Sequence, residues 1–342
     1  MEEENYILSR PVDFAELKDY LFSPANVFLT YSSGKKTKLI KASGVINEEY
    51  LKKFNSSKKR IEIETIANIS NVEQFNELFK IYQNAKTERE KIIGRNSILT
   101  LFSSIYWKGA NGGSLLDLVI SCEKSFLKFD MDAIEELRNF GEDFFIRSSL
   151  MASLGLVLCM SLGYLDKIFL EDVYHLFFVL DYGLNNNISY NITEALKKDR
   201  LQVGAGKSFL SSNSNRIEMS LFNKHPLLGV KKSLNKFAVF FNQKDILNFI
   251  KIHHERICGQ GFPMGIGQDE MNDLEQVIVF LSHLVPIKEY DFSRTDGQGY
   301  LKETCEKLED RNNILGKSIE NILLNIFENM PTWDEYIGKE IA

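Results

Sequence analysis

Cysteine is sparse in this chain of 342 residues: Cys122, Cys159, Cys258 and Cys305 are far apart and form no CxxC pair. That spacing gives no grounds for a zinc cluster or a disulfide framework and leaves reduced thiols as the expected state. Basic charge is not in excess either. With 41 basic against 47 acidic residues the formal net charge is −6, which argues against a nonspecific grip on nucleic acid. The N-terminal MEEENYILSR is acidic where a targeting peptide would be basic, and it has no apolar core segment. A cytoplasmic protein is the expectation.

Long hydrophobic runs are nearly absent. The single stretch approaching membrane length, Phe144 to Leu165, carries Arg147 and several serines. It reads as a fully buried core helix, with no membrane expected as a partner. No internal repeat is evident. The GKS of VGAGKSF (203–209) resembles the end of a phosphate-binding loop, but Leu201 stands where that motif needs glycine and no strand pattern precedes it. Triphosphate binding is therefore not expected there.

What is present is an apolar fraction of 44% with 25 Phe and 13 Tyr, enough to build two cores. Residues 1–85 read as a small α/β unit. VFLTYS and KTKLIKAS flank a turn at Ser33, Gly34 and Lys35 and predict a hairpin. INEEYLKKF has helical spacing, RIEIETI alternates, and NVEQFNELFKIYQ is helical again. The charged run NAKTEREKIIGR predicts a solvated helix leading into residues 86–342, where helical patterns dominate. Ser114, at the end of the Gly-rich WKGANGGS, is placed as a helix N-cap. Residues 185–223, rich in Asn, Ser and Lys, read as a mobile loop or lid. The fold expected is α+β overall, with the small α/β unit followed by an all-α domain.

All five histidines, His175, His225, His253, His254 and His283, lie beyond residue 170. Such a set, with Asp and Glu nearby, points to a divalent metal: neutral imidazoles suit Fe, Mn or Zn and a carboxylate adds charge. His175, on an apolar helix, reads as a packing residue. A cap for a helix end at His225 and a hydrogen-bonded core role for His254 stay open on sequence alone.

HHERICGQGFPMGI (253–266) resembles the HHE-x-x-D-G-x-G-Y-P-x-G-L signature of the HD-GYP family, metal-dependent phosphodiesterases acting on the bacterial messenger cyclic-di-GMP. Upstream and in the right order, HPLLG (225–229) matches that family's HPxxG and LDYGL (180–184) takes the place of its HDIGK. The motif core spans about residues 140–285. The resemblance implies an all-helical HD-type domain and a metal set of Asp181, His225, His253 and His254. It also implies a ligand or partner loop at Gly259, Gly261, Phe262, Pro263 and Gly265, with Phe262 as an aromatic plate. The glycines equally suit backbone of positive φ.

Other positions depart from the family. Leu180 replaces the motif histidine, Leu184 its lysine, and Cys258 the signature aspartate, while a later metal-binding aspartate falls on Ser282. An upstream histidine should fall near Arg147 or Ser148. His283, beside Ser282, is a weak candidate to replace that ligand. The family's chemistry resembles two-metal hydrolysis, and one metal's ligand set is nearly gone. The resemblance thus implies a degenerate signalling protein, impaired in catalysis, that binds one divalent metal (Fe, Mn or Zn). It would work by binding cyclic-di-GMP or a signalling partner such as a diguanylate cyclase, with residues 1–85 as a sensory or adaptor unit; a purely structural reading, the helical domain as a homodimerisation scaffold with unliganded histidines, stays open. The alternative is an active phosphodiesterase with an altered, mononuclear site.

Overall fold

The alternating segments pair into one antiparallel sheet of strands β1 (Ser9–Pro11), β2 (Ala25–Thr30), β3 (Lys36–Ile40) and β4 (Arg60–Thr65), ordered β1-β4-β2-β3. The computed structural model describes residues 9–17, 20–42, 44–46, 53, 60–65, 69–101, 114–287 and 303–304. Period-two alternation does what it should: β2 buries Ala25, Val27 and Leu29, and β4 adds Ile61 and Ile63 to the same cluster. The expected hairpin is present, with Phe28 opposite Lys38 and Gly34 at φ 80° in the turn. Strand β1 was not anticipated, because three residues are too few to show a period. The helix expected in INEEYLKKF lies almost wholly outside the described residues.

Helices follow: α1 (Phe14–Leu17), α2 (Ile69–Asn84), α3 (Glu88–Leu101), α4 (Leu115–Phe126), α5 (Met131–Phe140), α6 (Glu142–Ser161) and α7 (Lys167–Val179). Then come α8 (Tyr190–Leu201), α9 (Ala205–Asn213), α10 (Arg216–Lys236) and α11 (Asp273–Leu284). Ser114 caps α4 as expected, its side chain accepting from Asp117 N–H while Asp117 returns a bond to Ser114 N–H. Although α2 precedes residue 85, it joins the helical core. Its buried Phe79 meets Phe126 of α4 edge-on at 4.8 Å. The sheet unit touches the same core where Phe22 stacks on Phe145 and Leu21 N–H donates to Glu123 Oε1 at 2.9 Å.

Helix α6 is the axis of the helical part. It is the one described helix long and apolar enough to cross a membrane, and 89% of that window is buried inside the protein. Its approach to α7 depends on a missing side chain: a Cβ on Gly155 would lie 2.3 Å from Phe177 Cε2. Full burial of a side chain such as Phe177 stabilises by roughly 1.5–3 kcal/mol.

Residues 185–223 are not a loop. They fold into α8, α9 and the start of α10, capped by Ser189 and by an Asn215–Glu218 capping box. Their polar composition hid sparse anchors at helical spacing: Ile192, Ala195 and Leu196 are buried with Leu210, Phe222 and Phe262 in one cluster. The helical run expected through DILNFIKIHHE is a 3-10 helix, Lys244–Ile252, which ends at His253.

Candidate metal centre

Two turns and the middle of one helix converge on one buried point. Asp181 follows the C-terminus of α7, His225 lies in the middle of α10, and His253 and His254 close the 3-10 helix. One ligand atom from each lies within 4.8 Å of all the others, and all four residues are buried. The sequence-based set is therefore brought together in space.

Close approach of backbone makes this convergence possible. The short turn Tyr182–Leu184 lies against α10, and a Cβ on Gly183 would sit 1.9 Å from the His225 carbonyl oxygen. Only glycine fits there. Lys232 Nζ holds the turn from the other side, donating to the carbonyls of Gly183 and Asn185 at 3.0 Å each.

Pro226 has a local role as well. Proline inside a helix cannot donate to the carbonyl four residues back, which is that of Phe222. His225 Nδ1 takes up that carbonyl at 2.8 Å. His253 Nδ1 likewise meets the Ile250 carbonyl at 2.6 Å. A carbonyl only accepts, so both Nδ1 atoms carry the proton and both Nε2 atoms present bare lone pairs when neutral.

Those lone pairs face one another. His225 Nε2 is 3.3 Å from His253 Nε2 and 3.0 Å from His254 Nε2, and Asp181 Oδ1 is 3.4 Å from His253 Nε2 and 3.8 Å from His225 Nε2. Two bare nitrogens at 3.3 Å repel unless positive charge lies between them. Protonation of His225 or His254 is a poor source of it. Burial, reinforced by His253, pushes the His225 pKa down to about 3, and burial drives that of His254 well below its usual value. A divalent ion fits instead: a tetrahedron with ligand distances of about 2.0–2.1 Å has edges of about 3.3–3.4 Å. Three imidazoles and one carboxylate suit Zn, Fe or Mn.

Asp181 is ionised. Burial opposes its charge, but the Arg147 guanidinium outweighs that and holds the carboxyl below its ordinary range. Arg147, itself buried, reaches from α6 to place Nη1 2.5 Å from Asp181 Oδ2. Its Nη2 and Nε donate to the carbonyls of Ser282 at 2.6 Å and Val285 at 2.9 Å. Sequence reasoning marked residue 147 as a charge that argues against a membrane span and as a place where a histidine is lacking, not as a group of the site. The available signal was an arginine in an otherwise apolar helix.

Glu255 does not join the cluster. Its carboxylate accepts the backbone N–H groups of Met264 at 2.6 Å, Gly265 at 3.0 Å and Ile266 at 3.2 Å, which fixes the glycine-rich loop. Within that loop Gly259 and Gly265 have φ of 73° and 70°, and Phe262–Pro263 is cis. Cys258 is exposed and bridges to Gly267. Phe262 is not an open plate for a base. It stacks on His254 at 4.6 Å and 9°, and Lys207 of the GKS segment lies 4.9 Å over the same ring.

His283 stays outside the four-residue cluster. Its Nδ1 donates to the Val279 carbonyl at 2.7 Å, and its Nε2 has no hydrogen-bond partner. His175 packs as expected, buried against Phe129, with Nε2 accepting from Lys128 N–H at 3.0 Å. Leu180 and Leu184 are buried in apolar clusters. Beside Asp181 and His254 is a cavity of about 10 Å³, bordered also by Arg147, Arg200, Ser282 and His283. It has room for about one water.

No family model matches the sequence, and no curated protein matches it. Among solved structures the chain is similar to Bd1817, described as a HDG"Y"P protein from Bdellovibrio bacteriovorus. The identity is 14%, the TM-score 0.40, and the alignment covers 94% of this chain and 99% of that one.

Proposed function

We propose that this chain is a degenerate HD-GYP-like signalling protein of the cytoplasm. It holds one divalent ion between Asp181, His225, His253 and His254 and works by binding, not by rapid turnover. The observation that carries this reading is the inward set of Nε2 lone pairs, two of them fixed by carbonyls, closed by an ionised carboxylate. The motif likeness at residues 180–184, 225–229 and 253–266 supplies the class of ligand: cyclic-di-GMP, or a protein of the same signalling system such as a diguanylate cyclase.

When bound, a divalent ion supplies Lewis acidity to a phosphoryl oxygen or to water. His225 and His253 hold their lone pairs in place through Phe222 and Ile250, and Asp181 contributes the negative charge. Arg147 keeps that carboxylate ionised and oriented. The support for impaired hydrolysis is closure: the ligands are buried and the adjoining cavity admits about one water, so a bound dinucleotide would have to lie outside that cavity, away from the ion.

Purified protein loaded with Mn²⁺ should bind cyclic-di-GMP or a partner in calorimetry while leaving the nucleotide intact in a chromatographic assay. Efficient metal-dependent cleavage would overturn the proposal. A second reading, slow hydrolysis at a mononuclear site, draws support from the water-sized cavity next to His254 and two arginines. Activity that persists unchanged in both His253→Ala and His254→Ala would exclude it.

A further inference from the structure

Asp181 faces two ways. Its Oδ1 looks toward the imidazoles of His253 and His225, and its Oδ2 is bound by the Arg147 guanidinium at 2.5 Å. A carboxylate shared in this manner is the usual bridge between two cations in a paired metal site, where the ions stand about 3.5–4 Å apart. One of the two positions here is filled by the protein itself.

The surroundings of Arg147 are rich in acceptors. The Ser282 and Val285 carbonyls point at the guanidinium, at 2.6 and 2.9 Å. Two more buried atoms at the same cavity, Ser282 Oγ and His283 Nε2, have no hydrogen-bond partner. His283 Nε2 is a bare lone pair, because its Nδ1 proton goes to Val279. Carboxylate, carbonyl, hydroxyl and imidazole together make a donor set for a divalent ion, with an arginine in the middle of it.

We infer that Arg147 occupies a second cation position with its own guanidinium and so limits the centre to one exogenous ion. The inference rests on the metal reading above and deepens it. The chemical consequence follows from arginine itself: a guanidinium keeps its charge at every ordinary pH and neither accepts a lone pair nor acidifies water. Asp181 stays neutralised and oriented, while the contribution a second ion makes to paired-metal hydrolysis is removed.

The test is a Mn²⁺ titration followed by electron paramagnetic resonance on the full chain, on Arg147→Ala, and on Arg147→His combined with Ser282→Asp. Wild type should saturate at one ion per chain with the signal of an isolated ion. At least one variant should take two, and the double variant should show exchange coupling. Two coupled ions in wild type would overturn the inference, as would one ion in both variants with the fold intact by circular dichroism. Should neither variant fold, the wild-type spectrum decides alone: an isolated ion supports the inference and a coupled pair refutes it. No ion at all in wild type would instead remove the metal reading beneath it.

Discussion

Replacing Pro226 by alanine should move stability and metal affinity in opposite directions. Proline in a helix interior is about 3 kcal/mol worse than alanine. Against that gain, the substitution removes two buried ring methylenes worth about 0.8 kcal/mol each. The metal-free protein should therefore become more stable by about 1.5 kcal/mol, a rise of a few degrees in Tm for a chain of this size. The metal site should suffer. Alanine supplies an N–H for the Phe222 carbonyl that His225 Nδ1 now holds at 2.8 Å, and competition for the acceptor loosens the ring. Loss of such an orienting partner typically costs about 10–100-fold in metal affinity, and sharing the carbonyl should place this variant near the lower figure. Chelator competition with Zn²⁺, together with thermal melts of the metal-free protein, reads both quantities. Unchanged affinity would refute the role given to the His225–Phe222 bond.

Gly183→Ala puts a Cβ 1.9 Å from the His225 carbonyl oxygen, where contact requires more than 3 Å. The turn and α10 must part; a loss of about 1–3 kcal/mol in urea unfolding is expected, and an unchanged midpoint would contradict the packing described. Glu255→Gln leaves one oxygen for the three amides of residues 264–266. Hydrogen exchange there should accelerate at least tenfold, matching about 1.4 kcal/mol or more of lost protection, and native-like protection would count against the latch. Glu123, buried beside Leu21, has its pKa raised by burial to about 8 from 4.5. The folded state keeps a proton that the unfolded chain releases, so stability falls as pH rises from about 4.5 to 8, toward a limit of about 5 kcal/mol. Glu123→Gln should flatten that slope in denaturation midpoints measured across the range; an unaltered slope would show that another group causes it.

Much of the site was legible because motif spacing and elementary chemistry agree on the same residues. His225 before Pro226 and the pair His253–His254 announce ligands, although His225 lies within α10 and not at a helix end; the structure adds that carbonyls of Phe222 and Ile250 orient the rings of His225 and His253. The hairpin at Gly34 and the buried helix around residue 150 were equally clear, the first from β-rich runs flanking a glycine turn and the second from the length of its apolar run. Residues 185–223 misled because their anchors, Ile192, Ala195, Leu196 and Leu210, are few among polar neighbours. Only packing against Phe222 and Phe262 makes helices of them. Arg147 was invisible as a functional group, because its partners Asp181, Ser282 and Val285 lie 34 or more positions away in sequence. No local pattern encodes such a contact.

The central claim is that Asp181, His225, His253 and His254 hold a divalent ion. Elemental analysis of protein purified without chelator, set beside the His253→Ala/His254→Ala variant, tests it most directly. About one ion per chain in wild type and none in the variant is the predicted result. No metal in wild type, or equal metal in both, would contradict it.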